Sequence, residues 1–242
     1  MKNQTPTSRR LHESLGKLIA SLSPGDRLLS EPELARQLGV SRATLREAMR
    51  TFETQGLIHR RQGSGTFVAR PTQIIESGME ILESIETIAG RIGLPVSLGE
   101  NHIDCRQATA EEAEVLGISQ ENNVVQVRRV ILAEGQPAAY LVDTLQVKVL
   151  SPEDLSSDFS GSVLDLLTKR DDITLDISRC EISAVTATPE IARSMAIQRG
   201  DVLLCFKAYL YDLSGKVLDY SFSYFLPGHF RFHVVRRIGT LE

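Results

Sequence analysis

Cysteine is scarce: Cys105, Cys180 and Cys205 are the three in 242 residues, widely separated and without C-x-x-C spacing. An odd, scattered set supports neither a disulfide framework nor a zinc ribbon, so buried reduced thiols are expected. Long apolar runs are missing as well. No stretch approaches the roughly 18 consecutive apolar residues that span a bilayer, and the start MKNQTPTSRR has no apolar h-region. Neither a membrane span nor a signal peptide is expected, and the expected compartment is the cytoplasm. Patterns of catalysis are also absent. There is no Gly-rich phosphate loop, His102, His229 and His233 form no nucleophile pattern with Cys or Ser, and His229-x-x-x-His233 lacks the Glu of a zinc-protease helix. No enzyme, metal or cofactor is expected, and His233 in Phe230-Arg231-Phe232-His233-Val234 is expected as a packed strand residue.

What is present is a chain with 42% hydrophobic and 24% charged residues, which excludes disorder for most of its length. Its formal charge of -4 averages two unlike parts. Residues 1–70 hold 12 basic against 6 acidic side chains, a net +6, and the remainder holds 15 against 25, a net -10. A basic module facing a polyanion and an acidic module facing solvent, a small molecule or another subunit are the expected partition.

In the basic part, Leu11, Leu15, Leu18, Ile19 and Leu22 recur at helical spacing over 8–22, and Ser23-Pro24-Gly25-Asp26 ends that helix. A second helix starts near Ser30, where Ser30 and Glu33 have capping-box spacing and Pro32 is tolerated in the first turn; Leu34, Ala35 and Leu38 form its inner face. Gly39 supplies a tight turn, Val40 plugs it, and Ser41 caps a third helix with Leu45, Ala48, Met49 and Phe52 inward, ended by Gly56. Then the period changes. Leu57–Arg61, Gln62-Gly63-Ser64-Gly65 and Thr66–Ala69 predict strand, turn and strand, completing a winged helix-turn-helix, with Pro71 at its boundary.

A recognition helix presents its N-terminal residues to base edges in the major groove. Ser41, Arg42, Thr44 and Arg46 occupy that first turn and a half, and Arg50 follows one turn on. An Arg fork can bond guanine O6 and N7 together, so Arg42 and Arg46 are the candidate base readers; Ser41 and Thr44 suit phosphates or bases, and Arg50 suits phosphate. In the wing, Arg60, Arg61 and Gln62 approach the backbone while Gly63, Ser64 and Gly65 make a tip slim enough for the minor groove. Double-stranded DNA is the expected partner; taken singly, each of these charges could equally be a solvated surface Arg.

The runs Leu28-Leu29-Ser30-Glu31-Pro32-Glu33-Leu34-Ala35, Gly39–Ala48, Gly56-Leu57 and Arg60–Val68 closely resemble the GntR family of bacterial transcription regulators. The resemblance implies operator recognition by this head. In that family the segment before Glu33 usually reads P-S-E-R, with an Arg that helps read the operator. Here Leu29 stands for the Pro and Pro32 for the Arg, which implies a different operator or heavier reliance on Arg42, Arg46 and the wing.

Beyond Arg70, residues 72–92 place Ile74, Ile75, Met79, Ile81, Leu82, Ile85 and Ile88 among Glu76, Glu80, Glu83 and Glu86, predicting an acidic amphipathic linker helix over 71–92 that joins domains or pairs across a dimer. From Val96 the chain repeats itself at an offset of 79: Gln107–Ala113 parallels Thr186–Ala192, and Val124–Leu132 parallels Leu203–Tyr211. Each half is strand, short helix, hairpin, and two halves joined through a helix at Ser162–Lys169 imply one antiparallel α+β sheet over 93–242 with a cleft between the halves. On the face Val125, Val127, Arg129, Ile131 the Arg interrupts an apolar row and needs a partner, either Asp143 or Asp219. The pair is either structural or part of a ligand site. Ser162 caps its helix and could also hold an anionic ligand group.

This half resembles the UTRA effector domain of the HutC-type subfamily, with a chorismate-lyase-like fold, through Val127-Arg128-Arg129, Glu134-Gly135-Gln136-Pro137, Gly161-Ser162-Val163-Leu164 and Asp219–Phe225. The resemblance implies a small-molecule effector in the cleft, with Arg129, Asp143, Ser162, Asp219, Ser221 and Tyr224 as its candidate contacts; a solvent face for Asp219 and an interface role for Tyr224 are the plainer alternatives. Subfamily members that bind phosphorylated sugars typically carry a second Arg two positions after the first, where this chain has Ile131. The expected protein is a homodimeric, ligand-responsive repressor on a palindromic operator; an activator of the same architecture, or a lyase-like enzyme with a DNA-binding appendage, are the alternatives.

Overall fold

Leu15, Leu34 and Leu45, one from each of three successive helices, are all completely buried. The computed structural model describes residues 6–23, 25–54, 57–61, 64–68, 74–155 and 159–235. Helices α1 (Pro6–Ala20), α2 (Glu31–Gln37) and α3 (Arg42–Thr54) and strands β1 (Ile58–Arg61) and β2 (Gly65–Val68) make the N-terminal unit. The apolar stripes meet in one core: Leu11 and Ile19 of α1, Ala35 of α2, Met49 and Phe52 of α3, and Ile58 and Val68 of the hairpin. His12 stacks on Phe52 at 4.5 Å. The Glu33 carboxylate accepts the Ser30 backbone N–H at 3.1 Å, so α2 begins where the capping spacing predicted. Gly39, at φ 66°, turns the chain between α2 and α3, and Val40 packs partly against the core.

The hairpin is wider than the sequence suggests. Arg27 pairs with Phe67 in an antiparallel bridge, the Leu28 N–H donates to the Thr66 carbonyl and the Gly25 N–H to the Val68 carbonyl, each at 2.8 Å. The segment after α1 therefore lies along β2 as a third, short strand. Pro24, Gly56 and Pro71, which the sequence marks as breakers, lie outside the described residues.

The C-terminal unit opens on a departure from expectation. Among the described residues, 74–92 do not form one helix: β3 (Ile75–Gly78) runs parallel to β10 (Phe230–His233), and α4 (Ile85–Arg91) is the helical part. Two causes act. The Ser84 hydroxyl accepts the Thr87 N–H at 3.0 Å and starts the helix late, and β10 offers Ile75–Gly78 backbone partners that no local signal announces. The supposed stripe is split, with Ile75 and Ile88 buried while Ile81 and Leu82 stay exposed.

The repeat appears as two copies of one element order. β4 (Val96–Gln107), α5 (Ala110–Leu116), β5 (Asn123–Ala133) and β6 (Gln136–Gln146) form the first half; β7 (Leu175–Thr186), α7 (Pro189–Ser194), β8 (Val202–Asp212) and β9 (Val217–Phe225) form the second, with α6 (Val163–Thr168) between them. The strands make one antiparallel sheet in the order β4-β5-β6-β9-β8-β7. The two halves thus meet at β6 and β9, about a local twofold.

Strand alternation gives this sheet two unlike faces. On one, α5 packs Ala113 and Leu116 on Val124 and Tyr220, and α7 packs Ile191 and Met195 on Val130, Tyr140 and Leu203. On the other, Val149, Leu155, Phe159, Val163 and Leu167 cover Val125, Val127 and Leu145, while Phe230 and Phe232 cover Ile131, Leu141 and Phe225. Between those two covers the second face stays open.

Of the thiols expected to be buried, Cys205 is buried, Cys180 half-buried and Cys105 exposed, because β4 is an edge strand. His233 ends β10 and is exposed rather than packed. Among the described residues no helix is long and apolar enough to cross a membrane.

Candidate functional site

In the helical unit the polar face of α3 forms one candidate surface. The Ser41 hydroxyl accepts the Thr44 N–H at 3.1 Å and lies 2.8 Å from the Thr44 hydroxyl, capping the helix. Leu45, Ala48 and Met49 point into the core, which turns Arg42 and Arg46 outward, both exposed; Arg50 is half-buried. Nε of Arg46 donates to Glu31 at 2.6 Å. Arg60 of β1 reaches the other oxygen of Glu31 at 3.9 Å and Glu53 at 3.4 Å. The first turn of α2 therefore ties the recognition-helix position to the wing. Ser64 is exposed, and Gly65 adopts φ +117°, where a Cβ would stand 2.7 Å from Nε of Arg27. The wing-tip residues Gln62 and Gly63 and the side chain of Arg61 lie outside the described residues.

The second candidate site is a cavity of about 620 Å³ on the open face of the sheet. It brings together Arg129, Asp143, Ser162, Asp219 and Ser221, five of the six residues picked out from the sequence. Tyr224 is the exception. On β9 the odd residues Asp219, Ser221, Ser223 and Phe225 face the cavity, so Tyr224 falls on the opposite face and packs with Val130 and Tyr140 beneath α7. Its expected ligand contact is corrected by the register itself.

Arg129 is only 4% exposed. Its Nη1 donates to Asp143 and its Nε to the Gly161 carbonyl, and Phe159 stacks 5.9 Å from the guanidinium. The partner left open by the sequence is thus Asp143. Asp219 is buried next to that pair, and its Oδ1 accepts the Thr144 N–H at 3.2 Å. Burial first and the charge of Asp143 second push the Asp219 carboxyl well above the usual carboxylate range. The Ser162 hydroxyl accepts the Asp165 N–H at 2.9 Å as the cap of α6. From α4, Glu86 also lines the cavity; its Oε1 is buried and has no hydrogen-bond partner among the described residues.

Residues 93–231 match the UTRA domain, and residues 7–68 match the bacterial regulatory proteins of the gntR family. The chain belongs to the GntR family. It is 30% identical over 222 residues to the HTH-type transcriptional repressor NagR of Bacillus subtilis (strain 168), covering 90% of this chain and 89% of that protein. The Histidine utilization repressor of Pseudomonas putida is 29% identical over 201 residues, covering 77% of this chain and 74% of its own. The crystal structure of PhnF from Mycobacterium smegmatis superposes with a TM-score of 0.64 over 95% of this chain and all of its own, at 22% identity, a likeness of fold.

A GntR head joined to a UTRA domain is the HutC-type arrangement, and this chain is a DNA-binding transcription regulator of that type. The GntR family is one of regulators rather than enzymes. In this GntR protein Pro32, standing where the family usually has an Arg, is exposed in the first turn of α2 beside Glu31. Three residues escaped the sequence reading. Arg27 enters the sequence pattern only as charge, Glu31 only within the run that resembles the GntR head, and Glu86 only as one acid of the expected amphipathic helix. A Glu following a Ser cap and an isoleucine was a usable signal that α4 begins at Ser84.

Proposed function

We propose that this regulator is a metabolite-responsive repressor that binds a palindromic operator as a homodimer in the bacterial cytoplasm. The carrying observation is the outward pair Arg42 and Arg46 on the first turns of α3, held over a core of completely or almost completely buried Leu34, Leu45 and Met49. Arg42 and Arg46 read guanine edges; Ser41, Thr44, Arg50 and the wing residues Arg60, Arg61, Gln62, Gly63, Ser64 and Gly65 meet backbone and minor groove. Two heads in register add their free energies, which favours a dimer on a twofold operator. Repression is favoured over activation by the repressor names of the relatives.

The effector occupies the sheet-face cavity and touches Arg129, Asp143, Ser162, Asp219 and Ser221. It alters DNA affinity only as far as it prefers one of two states of the protein. The test is selection of bound duplexes from a random pool by the full chain, followed by footprinting. A single protected palindrome bound by two chains supports the reading; protection without sequence preference, or binding by one chain, overturns it.

A further inference from the structure

The cavity's charge is lopsided. Among the described residues Arg129 is the one cationic side chain that lines it, against Glu80, Glu83, Glu86, Asp143, Asp176 and Asp219. Glu83 is neutralised from outside by Arg91, and Glu80 accepts the Val235 N–H. The single interior cation is itself spoken for, since Arg129 is committed to Asp143 and to the Gly161 carbonyl. An incoming phosphate or carboxylate would meet a wall of carboxyl groups with Arg129 already engaged, which is unfavourable in a site of lowered dielectric.

The wants of the site run the other way. Oε1 of Glu86 is buried without a partner, an acceptor waiting for a donor. Asp219, itself buried, lines the same cavity. Burial, ahead of any other cause, pushes the Glu86 carboxyl up, and a cation placed against it would draw it back down. One stretch of the wall is aromatic. Phe206 lies 4.5 Å from Phe232 and 5.1 Å from Phe225, and Phe225 lies 4.7 Å from Phe230, ring centre to ring centre, all four lining the same cavity. Carboxylates joined to a continuous ring surface are the groups that bind an ammonium through charge-assisted hydrogen bonds and cation–π attraction. At about 620 Å³ the cavity is in the range that holds a drug-sized ligand.

We propose that the effector is an organic amine, its ammonium head held by Glu86 with the Asp143–Asp219 pair and its apolar body lying against Phe206, Phe225 and Phe232. This rests on the reading of the cavity as the effector site. The test uses the full chain with four probes that share one body: 2-phenylethylamine, 2-phenylethanol, phenylacetate and 2-phenylethyl phosphate, each up to about 20 mM, where weak matches register. Thermal stabilisation and release of the selected duplex are read in parallel.

Stabilisation by the amine above the alcohol, with none from the two anions, is the expected result. Glu86→Gln is expected to weaken the amine about tenfold while leaving the alcohol unchanged, which also certifies that the variant is folded. Binding of either anion in preference, equal binding of amine and alcohol, or no stabilisation by the amine overturns the proposal. Stabilisation by the amine that depends on Glu86 but leaves duplex binding unchanged supports the amine site and instead overturns the reading of the cavity as the effector site.

Discussion

Glu31 holds Arg46: the carboxylate at the start of α2 accepts the Nε–H of the recognition-helix guanidinium at 2.6 Å. Both side chains are partly exposed, so the pair itself contributes only about 0.2–1 kcal/mol, and a phosphate or guanine can displace it. What it does is fix the direction of Arg46 and place a negative charge on the surface proposed to meet DNA. Glu31→Gln is expected to raise affinity for random duplex roughly two- to fivefold and to narrow the gap to the selected operator, through lost repulsion from the polyanion. Fluorescence anisotropy with both duplexes checks it; unchanged affinity for random duplex refutes the idea.

Arg42→Ala and Arg46→Ala should each cost about 1–3 kcal/mol of discrimination between operator and random duplex, with helix content unaltered. Both residues are exposed and contribute nothing to the core. Gel-shift titration on the two duplexes measures the effect. Equal operator affinity for both variants would remove α3 from base recognition.

The Arg129–Asp143 pair is buried. Removing one partner strands the other charge, so Arg129→Ala should destabilise the UTRA domain by about 3–5 kcal/mol. Replacing both, Arg129→Met with Asp143→Leu, should restore most of that loss, because neither desolvated charge then remains. Urea denaturation of the four-member set resolves the coupling; a double variant no better than the single one contradicts it.

Asp219 sets the sign of a pH effect. Its carboxyl is raised in the folded state by burial and by Asp143, with Arg129 pulling the other way. Folding therefore takes up a proton at this position, and the associated stability is complete below the unfolded Asp pKa and is lost as pH rises toward the folded value. Asp219→Asn should raise Tm more at pH 8 than at pH 5. Melting curves showing the opposite order would place the burden on another group.

Gly117 and Ala196 occupy equivalent places in the two repeats, just beyond α5 and α7, at φ 63° and 52°. The glycine is relaxed there and the alanine is not. Ala196→Gly should stabilise the UTRA domain by about 1 kcal/mol, seen as a rise in the urea midpoint at constant slope. A fall in the midpoint would mean that the alanine methyl contributes more by packing than it costs in backbone strain.

Much was legible from residue order alone, because it rested on local physics. Helical and strand periods, the Ser30, Ser41 and Ser162 caps, and an internal repeat of 79 residues are properties of near neighbours, and they placed α2, α3, both halves of the sheet and the outward Arg stripe. Alternation on β5 also predicted that Arg129 would need an acid. Which acid it was, and which other groups surround it, depended on contacts between segments far apart in sequence. The pairing of β3 with β10 turned an apparent linker helix into a strand, and α4 carried Glu86 into the cavity. Asp143 rather than Asp219 took the guanidinium, and the register of β9 sent Tyr224 to the other face. The sequence determined most of the elements and their faces; the tertiary structure decided which faces meet and turned Ile75–Gly78 into a strand, because backbone pairing and burial are satisfied between segments whose own residues do not name their partners.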